Sequence, residues 1–393
     1  MKNIFTIHHR HQHSRARLGT VKLARGEVST PVFMPIGTVA SVKSLSCLEL
    51  EKIGFQIILG NTYHLWLKPD LDILKVSQWT RPITNSLLSE TREAGLHSFQ
   101  GWQRSILTDS GGFQAWSLSK IRKFTEEGVK FKVPTTGETR FLSPEISMNI
   151  QTVLGSDIAL VLDECLDADV SLREAKRAMW RTRRWAERSK IEFERLRQEQ
   201  FDQTGHLHSN VLFGIPQGAQ FPELRKESAE LTMELDFDGY SIGGVANGGE
   251  PEEIMYNQVL TQTEMLEDHK PRHLLGVGTP KDIIQMVKRG IDMFDCVYPT
   301  RNARHGSIFI WTDRNRLEYE TIKIEGLRFA TDFTAINSES KLEELRIYSK
   351  SYLRHLFRAK ELLAYRLATL NNLEFYYDLM ATLREKIHNN EEF

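Results

Sequence analysis

Residues 293–301 read MFDCVYPTR, and the interpretation of the rest of the chain starts from this stretch. A mainly apolar run at 291–294 ends in one carboxylate, Asp295, and two arginines, Arg301 and Arg304, follow the proline. A carboxylate at the end of a buried strand is costly unless it is paired or performs chemistry. Two interpretations are open at this point: a nucleophile beside a phosphate-contacting rim, or a structural ion pair.

Seven other segments share the pattern of the run before Asp295. Each is short and apolar or β-branched, ends at or next to Gly, Asn, Asp or Gln, and leads into a helix-like segment. The eight runs are 32–36, 56–59, 105–107, 158–162, 211–215, 239–242, 273–277 and 291–294. Eight such units favour a (β/α)8 barrel over an open sheet. We therefore expect an α/β fold, a TIM barrel with insertions, formed as a single domain by residues 1–393.

Helical patterns lie between these runs. They cover 43–53, 144–154, 172–198, 222–234 and 280–288. Ser171 is placed to cap the third of these helices, and proline opens three others at a first-turn position.

The barrel interpretation makes a functional statement, because the carboxyl ends of the strands hold the active site in this fold. The residues at those ends are Gly37, Asn61, Asp109, Asp163, Gln217, Gly243-Gly244, Gly276 and Asp295. Three carboxylates and two carboxamides are therefore expected to meet at one mouth.

Three of these positions lie in motifs that allow more than one interpretation. The stretch 108–114 (TDSGGFQ) lets the backbone approach a flat ligand beside Asp109, but it also fits a tight turn with an Asx cap. Asp163 can accept two parallel hydrogen bonds from an amidine-like edge such as that of guanine, whereas for Glu164 we favour a solvated or structural role. The stretch 243–249 (GGVANGG) can present N–H groups to a carbonyl or a phosphate. No Walker or dinucleotide-binding spacing occurs, so no nucleotide cofactor is expected.

Composition limits the class of protein. The formal net charge is −1 over 393 residues, so a nucleic acid would have to bind a local patch. The candidate basic residues are Lys120, Arg122 and Lys123, with Arg301 and Arg304, although such groups are usually solvated surfaces. Three well-separated cysteines favour a reducing compartment, and no signal peptide or membrane span is apparent, so we expect a cytoplasmic protein.

Five segments lie outside the repeating pattern. Residues 77–93 are predicted to be a surface insertion, and the histidine-rich start (8–13) a solvated arm rather than a metal site. Residues 307–322 are predicted to form a β-hairpin. Apolar spacing predicts helices at 340–370, with a capping box of Ser340 and Glu343, and at 373–387. Residues 305–393 would thus form a hairpin and a C-terminal helical subdomain.

Several of these motifs together resemble the tRNA-guanine transglycosylase family. They are TDSGGFQ (108–114), DEC (163–165), GG (243–244), GVG (276–278) and FDCVYPTR (294–301), with GNTYHL (60–65) and SYLRHL (351–356). The resemblance runs in order over nearly the whole chain. It implies that guanine at the anticodon wobble position of tRNA is exchanged for a 7-deazaguanine base, either 7-aminomethyl-7-deazaguanine or queuine. It also implies a homodimer.

The resemblance assigns roles to individual positions. Asp295 would attack the ribose anomeric carbon, and Asp109 would be the general acid/base, as in a retaining double displacement. The substrate-binding set would be Asp163, Gln217, the Gly244 amide, Ser110, Phe113 and Leu275, and Arg301 and Arg304 would hold the flanking nucleotides. Two alternatives are a non-catalytic tRNA-binding subunit, and a nucleosidase or glycosidase that uses water as acceptor.

The chain departs from the family in its metal ligands. The family binds a structural zinc through Cys-x-Cys-x-x-Cys and a later His. The corresponding positions hold Ser340, Leu342, Leu345 and Asn371. None of these supplies the thiolate or imidazole ligands that zinc prefers, so we expect no metal, with apolar packing by the leucines in its place.

A second departure lies at Asn247-Gly248-Gly249, where bacterial members have an aliphatic residue followed by Gly-Glu. This more open wall would admit a bulkier base such as queuine, whereas Cys165 fits the bacterial pattern. The identity of the inserted base therefore stays open.

Overall fold

The computed structural model describes residues 4–77, 95–118, 121–167, 169–204, 210–245 and 251–393. Most of the predicted insertion at 77–93, together with Lys120 and Asn247-Gly248-Gly249, lies outside this part of the chain. The strands are β1 (Phe5–Arg10), β2 (Arg17–Leu23), β3 (Gly26–Thr30), β4 (Val32–Met34), β5 (Ile36–Gly37), β6 (Ile57–Gly60), β7 (Ser105–Thr108), β8 (Arg122–Phe124), β9 (Val129–Lys132), β10 (Thr139–Leu142), β11 (Ile158–Leu160), β12 (Val211–Gly214), β13 (Gly239–Ile242), β14 (Arg272–Leu274), β15 (Met293–Asp295), β16 (Ser307–Asp313) and β17 (Glu318–Lys323). The α-helices are α1 (Cys47–Ile53), α2 (Thr62–Leu67), α3 (Leu71–Lys75), α4 (Leu96–Gln100), α5 (Gly112–Ser117), α6 (Pro144–Leu154), α7 (Leu172–Thr204), α8 (Pro222–Met233), α9 (Glu252–Met265), α10 (Pro280–Lys288), α11 (Tyr298–Arg304), α12 (Glu343–Ile347), α13 (Lys350–Ala359) and α14 (Leu362–Asn389).

The central sheet is a parallel barrel. Its order is β4-β15-β14-β13-β12-β11-β7-β6-β5. The two end members, β4 and β5, are consecutive pieces of one strand separated by Pro35, which lacks the N–H that a ladder needs. The carbonyl of Pro35 still accepts from the Leu59 N–H at 2.9 Å, so the sheet closes on itself. The predicted α/β TIM barrel is confirmed.

The helices that lie between the barrel strands start where the sequence signals predicted, with one exception. Proline opens α6, α8 and α10. The predicted cap at Ser171 is confirmed, because its Oγ accepts from the Glu174 N–H at 3.3 Å. The first helix begins at Cys47 and not at 43, because Ser44 has φ 68° and Ser46 forms the capping box with Glu49.

The prediction of a solvated N-terminal arm is wrong. Residues 5–10 form β1 of a three-stranded antiparallel sheet with β2 and β3. The side chains of Phe5, Val21 and Val28 are buried on one face of this sheet, and among the histidines His11 is buried and His8 exposed. The buried Arg17 guanidinium contacts both Asp292 carboxylate oxygens, at 2.8 and 2.6 Å, and ties the sheet to the base of the barrel.

The C-terminal region follows the expected order with corrected boundaries. The hairpin of β16 and β17 is confirmed. The predicted capping box of Ser340 and Glu343 is wrong, because Leu342 is the N-cap of α12 and the Ser340 Oγ donates to Glu374. Helix α13 ends at Lys360, which has φ 58°, and the last helix, α14, starts at Leu362 and not at 373. Helix α14 packs against β4, α1 and α10, and is therefore the eighth outer helix.

Candidate active site

A cavity of about 410 Å³ opens at the carboxyl ends of the barrel strands, where the sequence predicted a site. The predicted residues that line it are Asn61, Asp109, Ser110, Phe113, Asp163, Gly243, Gly244, Leu275, Gly276 and Asp295. Leu59, Ile215, Val245 and other apolar side chains form much of the remaining wall. Three carboxylates thus face one mainly apolar space, which is an expensive arrangement unless it serves a ligand.

Asp109 follows β7 and is held by three donors. Its Oδ1 accepts from the Thr62 N–H at 2.8 Å, and its Oδ2 accepts from Asn61 Nδ2 at 2.5 Å and Gln114 Nε2 at 2.9 Å. Burial raises its pKa to about 6; the hydrogen bonds oppose this shift and the charge of Asp295 adds to it. Both protonation states of this carboxyl are therefore accessible near neutral pH, as a general acid/base requires.

Asp163 follows β11 and is buried. It accepts from Gln217 Nε2 at 2.6 Å and from Ser110 Oγ at 3.2 Å, with the Cys165 thiol at 3.5 Å. Burial raises the pKa of this carboxyl above its usual range, although these hydrogen bonds lower it. Gln217 is buried and is not among the residues that line the cavity, although its amide has a second N–H beyond the one given to Asp163.

The Gly243-Gly244 turn lies directly on Gln217. A Cβ on Gly243 would come within 2.7 Å of Gln217 Nε2, and one on Gly244, where φ is 64°, would overlap its Oε1. The buried Arg225 guanidinium donates to the carbonyls of both glycines, at 2.7 and 2.5 Å. This arginine, which the sequence patterns did not single out, fixes the peptide plane of the turn.

Asp295 ends β15 and is 7% exposed. Its Oδ1 accepts from the Gly276 N–H at 3.2 Å and lies 2.9 Å from Nε2 of His273, a residue that sequence reasoning missed. The structural ion pair considered for Asp295 with the two arginines is not found in the described part of the chain. Only the position of His273 in a strand run signalled it, and such a histidine is usually a core residue.

Leu275 and Phe113, the two residues expected to enclose the base, differ in exposure. Leu275 is half-buried, whereas Phe113 has 47% of its surface exposed at the rim of the cavity. The ring of Phe113 lies against Trp116 with a centroid separation of 5.5 Å, and the Arg122 guanidinium lies 5.2 Å from the Trp116 ring. The rim is therefore aromatic and cationic on this side.

Arg301 and Arg304 do not line the cavity, and lie on α11 immediately after the strand that ends in Asp295. Arg301 is exposed and Arg304 half-buried. The two residues are three positions apart on α11 and so lie on the same side of the helix. Burial and then the charge of Arg301 lower the pKa of Arg304. Two neighbouring guanidinium groups beside a site favour an anionic ligand.

Several other acidic residues of the barrel form ion pairs or contact a histidine, unlike the carboxylates Asp109 and Asp163 in the cavity. Glu164 is buried and pairs with Arg181 at 2.7 Å, so the structural role favoured for it is confirmed. At the opposite, amino ends of the strands, Asp292 pairs with Arg17 and Asp157 lies 3.1 Å from His97. At the mouth, by contrast, Asp109 and Asp163 form no salt bridge with any described residue.

The positions that correspond to zinc ligands in the resembling family do not fit a metal. Leu342 and Leu345 are buried in the core, as predicted, and apolar side chains cannot ligate zinc. The Ser340 hydroxyl is committed to Glu374, whose carboxylate also accepts from the Lys341 N–H at 2.8 Å. Asn371 donates to the Phe309 carbonyl at 2.9 Å. Among the described residues no cluster of three or more metal-ligating side chains occurs.

Comparison with known proteins agrees with this geometry. The profile of the family described as "Queuine tRNA-ribosyltransferase" matches residues 12–392. A protein with that name from Neisseria meningitidis (serogroup A) is 45% identical over 383 residues, covering 98% of this chain and 94% of the relative. Namesakes from Chromobacterium violaceum and Francisella tularensis subsp. novicida are 45% and 44% identical, over 98% and 95% of this chain and 94% and 92% of their own length.

Proposed function

The chain belongs to the queuine tRNA-ribosyltransferase family of enzymes, and from this premise we propose that it exchanges guanine in tRNA for a 7-deazaguanine base. The observation that carries the proposal is the meeting of Asp109, Asp163 and Asp295 in one cavity with apolar walls. Its volume of about 410 Å³ is within the range of small-molecule sites.

The exchange is proposed to proceed by double displacement at the ribose. The Asp295 carboxylate forms a bond to the anomeric carbon as the bond to guanine N9 breaks, and the departing base takes that electron pair and a proton from Asp109. The incoming base then attacks the same carbon through its own nitrogen, releases Asp295, and gives its proton to Asp109. Two inversions produce net retention, and the pKa of about 6 at Asp109 suits a group that must both give and take a proton.

Recognition of the base is proposed to follow from the buried polar pair. Asp163 would accept from the N1–H and exocyclic amine, Gln217 and the Gly244 amide would donate to the ring carbonyl, and Ser110 would hold Asp163 in place. Phe113 and Leu275 would enclose the ring between them. The wall at 246–250 lies outside the described residues, so the proposal covers the class of 7-deazaguanine bases.

The remaining parts of the proposal concern the macromolecular setting. Arg301 and Arg304 would contact the nucleotides that flank the exchanged one, at the wobble position of the anticodon. The reaction would take place in the cytoplasm, in line with the three free cysteines, and the protein would act as a homodimer. None of the described helices has the length and apolarity to cross a membrane.

The test is incorporation of labelled guanine, queuine and the aminomethyl precursor into unmodified tRNA, together with a denaturing gel for a covalent adduct. Wild-type protein is expected to incorporate base and to form the adduct, and Asp295→Asn to do neither. Release of guanine without incorporation would indicate a nucleosidase, and binding without either product a non-catalytic subunit. Full activity of Asp295→Asn would contradict the nucleophile assignment.

A further inference from the structure

His273 is a fully buried imidazole beside Asp295 to which the proposed double displacement assigns no task. It lies in β14, where its backbone pairs with Ser241 of β13 on one side and Met293 of β15 on the other. Asp295 is two residues beyond Met293 and points to the same face of the sheet. The three side chains of Ser241, His273 and Asp295 therefore form a row across three adjacent strands.

The hydrogen bonds in this row have a fixed direction. A carboxylate only accepts, so His273 Nε2, 2.9 Å from Asp295 Oδ1, carries the hydrogen of that contact. In the neutral ring Nδ1 is then an acceptor, and it lies 3.0 Å from the Ser241 hydroxyl, which donates to it. Ser241 thereby selects the tautomer that His273 needs in order to donate to Asp295.

The row makes the two oxygens of Asp295 unequal. Oδ1 accepts from both His273 Nε2 and the Gly276 N–H, at 2.9 and 3.2 Å. Within the described part of the chain, no hydrogen bond reaches Oδ2. Since Asp295 lines the cavity, its second oxygen keeps its lone pairs available on a carboxylate that two hydrogen bonds hold at Oδ1.

We propose that His273 is a positioning residue that clamps Oδ1 of Asp295 and thereby selects Oδ2 as the oxygen that bonds to the anomeric carbon. This inference rests on the proposed function. In the covalent ester Oδ1 becomes the carbonyl oxygen and keeps both donors. When the incoming base breaks the Oδ2–carbon bond, the returning electron pair restores a carboxylate that these donors stabilise.

The experiment compares three variants in a single turnover with tRNA in which the exchanged guanine is labelled. His273→Phe keeps the ring volume and removes both nitrogens, His273→Gln keeps a donor near the Nε2 position, and Ser241→Ala removes the group that sets the tautomer. For His273→Phe the rate of adduct formation and kcat are expected to fall roughly 10- to 100-fold, with KM for tRNA nearly unchanged. His273→Gln should recover most of the rate, and Ser241→Ala should lie between.

A second buried histidine provides the matched control. His97 lies 3.1 Å from Asp157 at the other end of the barrel, so His97→Gln should affect stability and leave adduct formation unchanged. Thermal unfolding of each variant separates loss of folding from loss of rate. If His273→Phe fails to fold, His273→Gln and Ser241→Ala decide the question through their rates.

The outcomes for the two proposals are distinguishable. An active wild-type enzyme with an unimpaired His273→Phe variant, or with His273→Gln as slow as His273→Phe, would overturn the positioning role alone. A wild-type protein that forms no adduct and incorporates no base would overturn the proposed function, and this inference with it.

Discussion

Asp109 is a residue of the site whose charge changes near neutral pH. Because its pKa is raised to about 6, the carboxylate that accepts a proton from the incoming base is populated only above that pH. We expect kcat/KM for the incoming base to rise as pH increases through about 6 and then to level, measured with saturating tRNA. A profile that is flat over this window would contradict the general-base role.

Stability moves in the opposite direction, which makes the pH experiment interpretable. The folded pKa of Asp109 lies above its ordinary value of 3.8, so its contribution to folding is fully present below that value. This contribution is lost as pH rises to about 6. The contribution of Asp109 to stability therefore falls over the pH range in which activity is expected to rise, and thermal unfolding measured at each pH separates the two effects.

Adding a single methyl group at Gly244 should weaken binding of the base. In Gly244→Ala the new Cβ would overlap Gln217 Oε1, in addition to the strain of a residue at φ 64°. We expect KM for the base to rise at least about tenfold, measured by base incorporation. Gly137→Ala is the control, since Gly137 has φ 72° and open space around its Cβ position. Equal effects of the two variants would contradict a role of the Gly244 turn in base binding.

The residue scale also shows what the sequence could not supply. Asp109, Asp163 and Asp295 could be predicted because each ends an apolar run, and parallel strands bring such ends together. His273 and Arg225 could not, because their roles depend on neighbours across strands or in a distant turn. In the sequence both resemble ordinary residues of a strand and a helix.

At the scale of elements, buried strands were easier to predict than exposed ones. Most barrel strands are mainly apolar because both faces are covered, so they appear as nearly continuous runs. The sheets β1-β2-β3 and β8-β9-β10 were missed, because their alternating charged and histidine residues resemble a surface loop. The boundary between α13 and α14 was misplaced since apolar spacing continues across the break at Lys360.

The C-terminal helices should be stable without a metal. Leu345 is fully buried where the resembling family has a cysteine ligand, so Leu345→Ala is expected to cost about 2–5 kcal/mol in urea unfolding. Leu362→Ala, at a position 81% exposed, should change the free energy by less than about 0.5 kcal/mol. A strong chelator should leave the unfolding midpoint of the wild-type protein unchanged. One zinc bound per chain in a metal analysis would contradict this account.

For the whole molecule, the charge balance determines how tRNA can be held. A net charge of −1 produces no general attraction for a polyanion, so affinity has to come from local cations such as Arg301 and Arg304. Each arginine that contacts a phosphate releases counterions on binding, which makes the affinity depend on salt. We expect Arg301→Ala and Arg304→Ala each to weaken tRNA binding and to reduce the slope of log affinity against log salt by roughly one.

Arg316→Ala separates a local contact from a change in total charge. This variant removes the same positive charge as Arg301→Ala or Arg304→Ala. Arg316, however, is exposed in the turn after β16 and lies near His11 and Lys288 at the base of the barrel. If the phosphate contacts are at the mouth, this variant should keep the wild-type salt slope, measured by titrating tRNA at several salt concentrations. If all three variants shift the slope equally, binding follows total charge and α11 is not the tRNA-contacting element. The incoming base is uncharged or singly charged, so its KM should be the same in all three variants and at every salt concentration. Any loss of activity in these variants can then be assigned to weaker tRNA binding.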